Sequence, residues 1–222
     1  MQVIEKLLKR GGAFDRGDGS VFQTWHAVTQ DFALIEASVP DVAQAYTKLE
    51  AAQGRPARAK RTFGGLESQF RTLLPLSRDM SRVLVLPTQA QGWTALFRSG
   101  VEGSGPGEIA PQIAHHLKTR AMQICASLPN SPPNHAWSLW DCRTNDKPGT
   151  DIEFAIEAPR KARLSDRAEL ELTLAEFEIP MPSDALLAPS ARLGGQCLWC
   201  PIVSRTPSYS LKQVLAGHPW RS

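Results

Sequence analysis

The 222-residue chain has four cysteines and two tyrosines, and aromatic residues make up only 7% of it. Four thiols are too few for a small disulfide-stapled secreted protein, and a chain of this length buries roughly 70% of its unfolded surface without staples. No stretch approaches the ~20 apolar residues needed to span a bilayer. The opening MQVIEKLLKRGG is too charged, and its apolar run too short, for a signal peptide, and no small-residue cleavage site follows. A cytoplasmic protein with no membrane partner is therefore expected. Charge of one sign is scarce as well: 25 Lys and Arg against 22 Asp and Glu leave a net +3. Nucleic-acid-binding domains normally show a stronger basic bias, with aromatics among the cations. Here the cations gather at Arg55, Arg58, Lys60 and Arg61 and again at Arg160, Lys161, Arg163 and Arg167, with only Phe63 at the edge of the first group. Both groups read as solvated Arg-rich loops, so a nucleic acid partner is not the favoured expectation; an accessory protein that uses the two Arg groups to bind nucleic acid is the third reading, behind the two given below.

Catalytic motifs are missing in the same way. Gly100-Val-Glu-Gly-Ser-Gly-Pro-Gly107 is glycine-rich, but without a Gly-Lys-Ser/Thr ending it has neither the lysine for phosphates nor the hydroxyl for magnesium. No GxSxG or SxxK sits in a strand–turn–helix setting. His115 and His116 are adjacent on a predicted helix, hence about 100° apart, and no HExxH accompanies them. The one local thiol pair is Cys197-Leu-Trp-Cys200. Two intervening residues let both sulfurs face one point, as zinc or dithiol chemistry requires. A zinc site would want two further ligands, and Cys125 and Cys142 each stand alone on predicted strands. Reduced cysteines packed near Trp199 are expected, with no metal and no cofactor.

What the chain does have is clear periodicity. Asp31–Ser38 alternates as a half-buried strand, and Ser38-Val-Pro-Asp-Val opens a helix with Val42, Ala45, Tyr46 and Leu49 at helical spacing, ending near Gln53-Gly54. Leu66–Leu74 predicts a second helix, stopped by Pro75. Arg82–Pro87 is a fully apolar strand, and Gly92–Phe97 its antiparallel neighbour across a hairpin. Pro111–Leu117 predicts the third helix; strands follow at Arg120–Ser127, His135–Cys142 and Asp151–Glu157. Ala168–Phe177 has helix-forming composition, but Leu170, Leu172 and Leu174 alternate, and that alternation predicts a strand. The expected fold is α+β: a predominantly antiparallel or mixed sheet of five to seven strands with about three flanking helices. A single domain spans residues 1–222, with 1–20 a flexible or docked N-terminal arm and 180–222 an irregular C-terminal region.

Leu73-Leu-Pro-Leu76, Arg82–Thr88, Gly92–Phe97, and Gly103 with the helix leading into Arg120-Ala-Met-Gln-Ile together give residues 30–130 a character of their own. This stretch resembles small bacterial proteins that include candidate immunity proteins of secreted toxin systems. Where such proteins carry an aspartate near Gly105, this chain reads Gly-Ser-Gly-Pro. The resemblance implies a stoichiometric protein-binding role, the occlusion of a cognate toxin's active site, and no catalytic residue. A cationic chain would pair with an acidic partner surface. Trp137 and Trp140, with Asp141 and Asp146 after them, have the composition of an interface hot spot, and Arg98 and Glu102 beside the glycine-rich loop join them as partner-binding candidates. Trp137 and Trp140 lie out of phase on one strand, so one is expected in the core and the other at the surface. The alternative is an enzyme of unfamiliar type, a hydrolase or transferase, with its site near the 100–107 and 141–151 loops.

Overall fold

The computed structural model describes residues 20–77, 82–100, 109–125, 135–143, 160–164, 167–199, 208–210 and 212–213. Two short helices, α1 (Val21–Thr24) and α2 (His26–Thr29), lead into strand β1 (Asp31–Ile35) and helix α3 (Val39–Ala52). Strand β2 (Arg58–Thr62) follows, then helix α4 (Leu66–Phe70), a 3-10 turn (Arg71–Leu73), and strands β3 (Leu76–Ser77), β4 (Arg82–Pro87) and β5 (Thr94–Arg98). Helix α5 (Ala110–Leu117) precedes strands β6 (Arg120–Cys125), β7 (His135–Asp141) and β8 (Arg160–Leu164). The described chain closes with helices α6 (Arg167–Glu176) and α7 (Ser190–Leu193) and strands β9 (Gly195–Trp199) and β10 (Ser208–Tyr209).

Eight of these strands form one sheet in the order β2-β9-β4-β5-β1-β6-β7-β8, and β10 pairs with β3 in a second, two-stranded sheet. Every pairing is antiparallel. The fold is thus the expected α+β class, with one strand more in its main sheet than the sequence suggested. The predicted β4–β5 hairpin forms, with Val85 opposite Leu96.

Apolar residues cover both faces of the central strands. On one side α3 and α5 lay Val42, Tyr46, Ile113 and Ala114 over Ile35, Val83, Val85, Leu96 and Leu198. Helix α3 starts where Ser38 Oγ accepts from the Asp41 amide at 3.3 Å, with proline in its first turn. On the other side an aromatic cluster fills the space under α1, α2 and α4. Phe32 stacks on Phe97 at 5.2 Å between ring centroids, and Phe70 meets Phe97 edge-on at 4.9 Å. Asp184 pins α1 onto this layer by accepting from the Val21 and Phe22 amides and the Ser20 hydroxyl at 2.8–3.0 Å.

Four expectations are corrected. Residues 167–176 are helical: Leu170 and Leu174, four apart, are buried, while Leu172 between them is 69% exposed. The helix-forming Ala, Glu and Leu outweigh a chance period-2 pattern. Among the described residues, helices α1 and α2 stand ahead of β1, where the sequence suggested no regular element. The basic stretch at 58–62 is an edge strand rather than a loop, and 160–164 is the edge strand at the opposite end of the sheet. Finally, the region from 180 onward contributes β9, which lies between β2 and β4. Residues 1–19 of the expected N-terminal arm, the strand expected at 151–157 and, beyond residue 199, all but 208–210 and 212–213 lie outside the described residues.

The β9 insertion needs two glycines. Gly194 has φ +71°, and a Cβ there would meet the Thr62 carbonyl at 2.4 Å. A Cβ on Gly195 would lie 2.4 Å from Leu86 Cδ2 and 2.6 Å from the Val85 carbonyl oxygen, whereas one on Gly65 meets nothing within 4 Å. Gly195→Ala is therefore expected to destabilise the fold by about 2 kcal/mol or more through overpacking, with Gly65→Ala close to neutral. Urea unfolding midpoints of the two variants check this.

Candidate functional site

Strands β2, β9 and β4 form one end of the sheet, and their register sets which side chains share a face. In an antiparallel ladder, directly opposed residues project to the same side. Arg58 lies opposite Trp199, which lies opposite Arg82, so a cation, an indole and a second cation stand in one row across three strands. In the next row Lys60, Cys197 and Leu84 are opposed. This face carries the aromatic-cluster side of the sheet, and Leu84 is buried there. Toward β9 and β2 it opens into a groove of about 890 Å³ whose lining includes Arg58, Lys60, Arg61, Arg82, Phe63, Thr72, Cys197 and Trp199. Four of the lining residues are cationic and none is acidic.

The groove's floor is fixed from below. The Thr72 carbonyl, at the 3-10 turn, accepts from the Arg82 guanidinium at 3.3 Å and from the Cys197 thiol at 3.8 Å. Its rim is unusually apolar for an exposed surface. Phe63 is 65% and Trp199 43% exposed, two of the four large apolar side chains that stand out among the described residues. Burial is the main influence on the Cys197 thiol and raises its pKa, against smaller opposing effects of the Thr72 hydrogen bond, Arg82 and Lys60. A raised thiol pKa is the reverse of the activated thiolate that redox chemistry uses. Cys200 lies outside the described residues. Cys125 is held by Asp31 at 3.4 Å, and burial with that carboxylate pushes its thiol up to about 12. Among the described residues no group of three or more His, Cys, Asp or Glu side chains is placed to hold a metal ion, and no helix is long and apolar enough to cross a membrane.

The residues singled out from sequence fall elsewhere. Trp137 and Trp140 do point to opposite faces of β7, but both are buried, at 3% and 7% exposure, one in each core layer. The expectation of one exposed tryptophan fails because the sheet is covered on both sides at β7. Asp141 is exposed and paired locally: Arg143 donates to its carboxylate at 2.9 and 2.5 Å through the side chain and at 3.2 Å through the backbone. Arg98 ends β5 at the far side of β4 from β9, half-buried. Glu102 and Asp146 lie outside the described residues, as do most of the 100–107 and 141–151 loops. His115 is half-buried and His116 exposed; burial first, then Lys118 and His116, lower the His115 pKa. Of those that are described, none lines the β2–β9–β4 groove.

Sequence reading missed Trp199 and Arg82 as site residues, and saw Arg58 and Lys60 only as loop charge. A signal was present: Arg58, Lys60 and Thr62 alternate, as do Cys197 and Trp199, the period of strands with one solvated face. Compared with known protein families, curated proteins and solved structures, the chain matches none.

The Asp141–Arg143 pair gives a pH test. Hydrogen bonds from Arg143 hold the Asp141 carboxyl below the usual carboxylate range, with burial opposing more weakly. A depressed folded-state pKa stabilises above the unfolded value of about 3.9 and loses that contribution as pH falls through the folded value. Because the pair is solvent-screened, the effect stays under about 1 kcal/mol. Asp141→Asn should thus lower the unfolding midpoint slightly at pH 6 and be indistinguishable from the parent in strong acid, as denaturant titrations at the two pH values will show.

Proposed function

We propose that this protein is a stoichiometric binding protein, not an enzyme, and that the β2–β9–β4 face is the surface it presents to an acidic partner. The observation that carries this reading is the convergence of Arg58, Lys60, Arg61 and Arg82 around one groove with no carboxylate in its lining. Four like charges held together raise the local potential, attract counter-charge and speed encounter with an acidic surface. Exposed Trp199 and Phe63 supply the apolar contact area that lets such an encounter persist. Among the described residues that line the groove, burial shifts the thiol away from the thiolate form and no histidine or carboxylate stands to act as base, which supports binding over turnover.

The resemblance of residues 30–130 to candidate bacterial immunity proteins gives the proposal its specific form. In that form the partner is a cognate toxin, and the cationic face covers an acidic active-site rim. Occlusion by a rigid sheet face needs no moving part and leaves the inhibitor unchanged, which fits a site built on strands.

Purification of tagged protein from its native host tests the reading. An acidic protein should co-elute near equimolar ratio with the parent chain and be lost with Arg58→Glu/Lys60→Glu, binding weakening at least tenfold. Elution of both proteins as solitary monomers would refute a stoichiometric partner.

A further inference from the structure

An acidic protein partner uses the cations of the β2–β9–β4 groove and takes Trp199 as apolar contact area, but it does not call for an indole placed between two cations. We infer that this face takes single-stranded nucleic acid, with a base stacked on Trp199 and neighbouring phosphates held by Arg58, Lys60 and Arg82. The inference rests on the reading above that this face is the binding surface, and it names the chemical class of the ligand.

Three observations support it. The first is the order of the row: the indole of Trp199 stands between Arg58 and Arg82, one strand away on each side. Adjacent strands lie ~4.8 Å apart, so the two flanking cations are separated by roughly 10 Å at the backbone. A strand of nucleic acid crossing the sheet can place a base over the central ring while its backbone passes both cations. The second is that the ring is available. Trp199 is 43% exposed, and among the described residues the only cation found over an aromatic ring is Arg120, on Trp93 and Phe177. Neither Arg58 nor Arg82 covers Trp199, and Arg82 is instead drawn toward the Thr72 carbonyl at 3.3 Å. The third is the second exposed ring, Phe63, at the rim of the same groove and 65% exposed, which offers a stacking surface to a further base. Sheet faces with solvent-facing aromatics flanked by Arg and Lys recognise unpaired bases, because stacking needs a free π-face that duplex bases do not offer.

Edge protection is the competing account of the cations. Charged side chains on an edge strand keep one sheet from pairing with another, and both edges here, β2 and β8, are rich in Lys and Arg. That account ends at the edge. It does not call for an exposed tryptophan on the second strand, and among the described residues one stands only at the β2 end: the tryptophans of β7 are buried, and Arg120 on β6 is turned to Glu36.

The test is fluorescence anisotropy of labelled oligothymidylate and oligouridylate against the full-length protein. A duplex of similar length and polyglutamate serve as competitors. Binding should weaken with salt at a logarithmic slope of about −2, three phosphate contacts at about −0.7 each. Trp199→Ala should weaken it about tenfold or more, Trp199→Phe should restore most of the loss, and Arg58→Glu/Lys60→Glu should abolish it. Circular dichroism confirms that these surface variants keep the fold. Competition by duplex or polyglutamate should be much weaker than by unlabelled oligonucleotide.

If polyglutamate competes equally and Trp199→Ala has no effect, the nucleic acid assignment fails while the acidic-partner reading survives. If Arg58→Glu/Lys60→Glu changes neither oligonucleotide nor polyglutamate binding, both fail. If Arg160→Glu/Lys161→Glu on β8 weakens oligonucleotide binding as much as the β2 reversal does, the attraction is general and the site is not at Trp199. No measurable oligonucleotide binding at low salt overturns the inference outright.

Discussion

The close approach of β9 to its two neighbours is the constraint on which the rest of the structure depends. A strand from the far end of the chain must slide between β2 and β4, and it can do so only where Gly194 and Gly195 leave no side chain in the way. The entry is fastened by one buried amide. Gln69 donates to the Gly64 carbonyl at 2.9 Å and to the Ser190 carbonyl at 2.8 Å, and its oxygen accepts from the Thr62 hydroxyl at 3.4 Å. The end of β2, the start of α4 and helix α7 are thereby joined at a single fully buried side chain. An amide suits this position because it donates twice and accepts at once, meeting two backbone carbonyls and one hydroxyl together. Remove the fit and β2 loses the strand it pairs with among the described residues; the cationic row then has no indole at its centre.

The same sheet is treated differently along its width. Its centre is dry on both faces, and beyond β1 a polar clamp closes the exposed end of β6. Arg120 reaches Glu36 with two hydrogen bonds of 2.6 Å and lies over Phe177 at 4.9 Å and Trp93 at 5.7 Å. That guanidinium is fully engaged, in charge and in stacking. The guanidinium of Arg82 makes one long bond to a carbonyl and faces an open groove. Two arginines, each at the first position of a strand, therefore do opposite things: one is engaged within the fold and the other faces an open groove.

How much of this was legible in the sequence follows from the range of the interactions involved. The β4–β5 hairpin, helix α3 and its caps, and strands β6 and β7 rest on local signals: apolar runs, a proline in the first turn, a hairpin-sized gap. They stand where the residues predict them. Helix α6 was misread because period-2 leucines happened to sit in a helix-forming segment, and only the core beneath Leu170 and Leu174 decides between the two periods. Strand β2 reads as a loop because four of its five residues are exposed. Its strand character comes from β9 and is invisible without it. The candidate site suffers most. Its row is assembled from residues 58, 82 and 199, and nothing local to any of the three announces the other two. Trp137 and Trp140, which do sit near charge in sequence, are consumed by the two cores.

Why the uncovered face should lie at this end is itself a packing result. Leu198 points to the side covered by α3 and is fully buried, while Trp199, one residue on, points to the other side, into the groove it shares with Thr72, and is 43% exposed. Alternation along β9 thus converts a one-residue step into the difference between core and surface. An indole left at such a position loses roughly the transfer free energy that burial would return, about 25 cal/mol per Å² of ring kept in contact with water. A smaller polar residue would avoid that loss with no change to the ladder, since the side chain is not needed for strand pairing. A fold that keeps tryptophan there, between two cations and over a floor already anchored by Thr72, retains apolar area that a ligand can still bury.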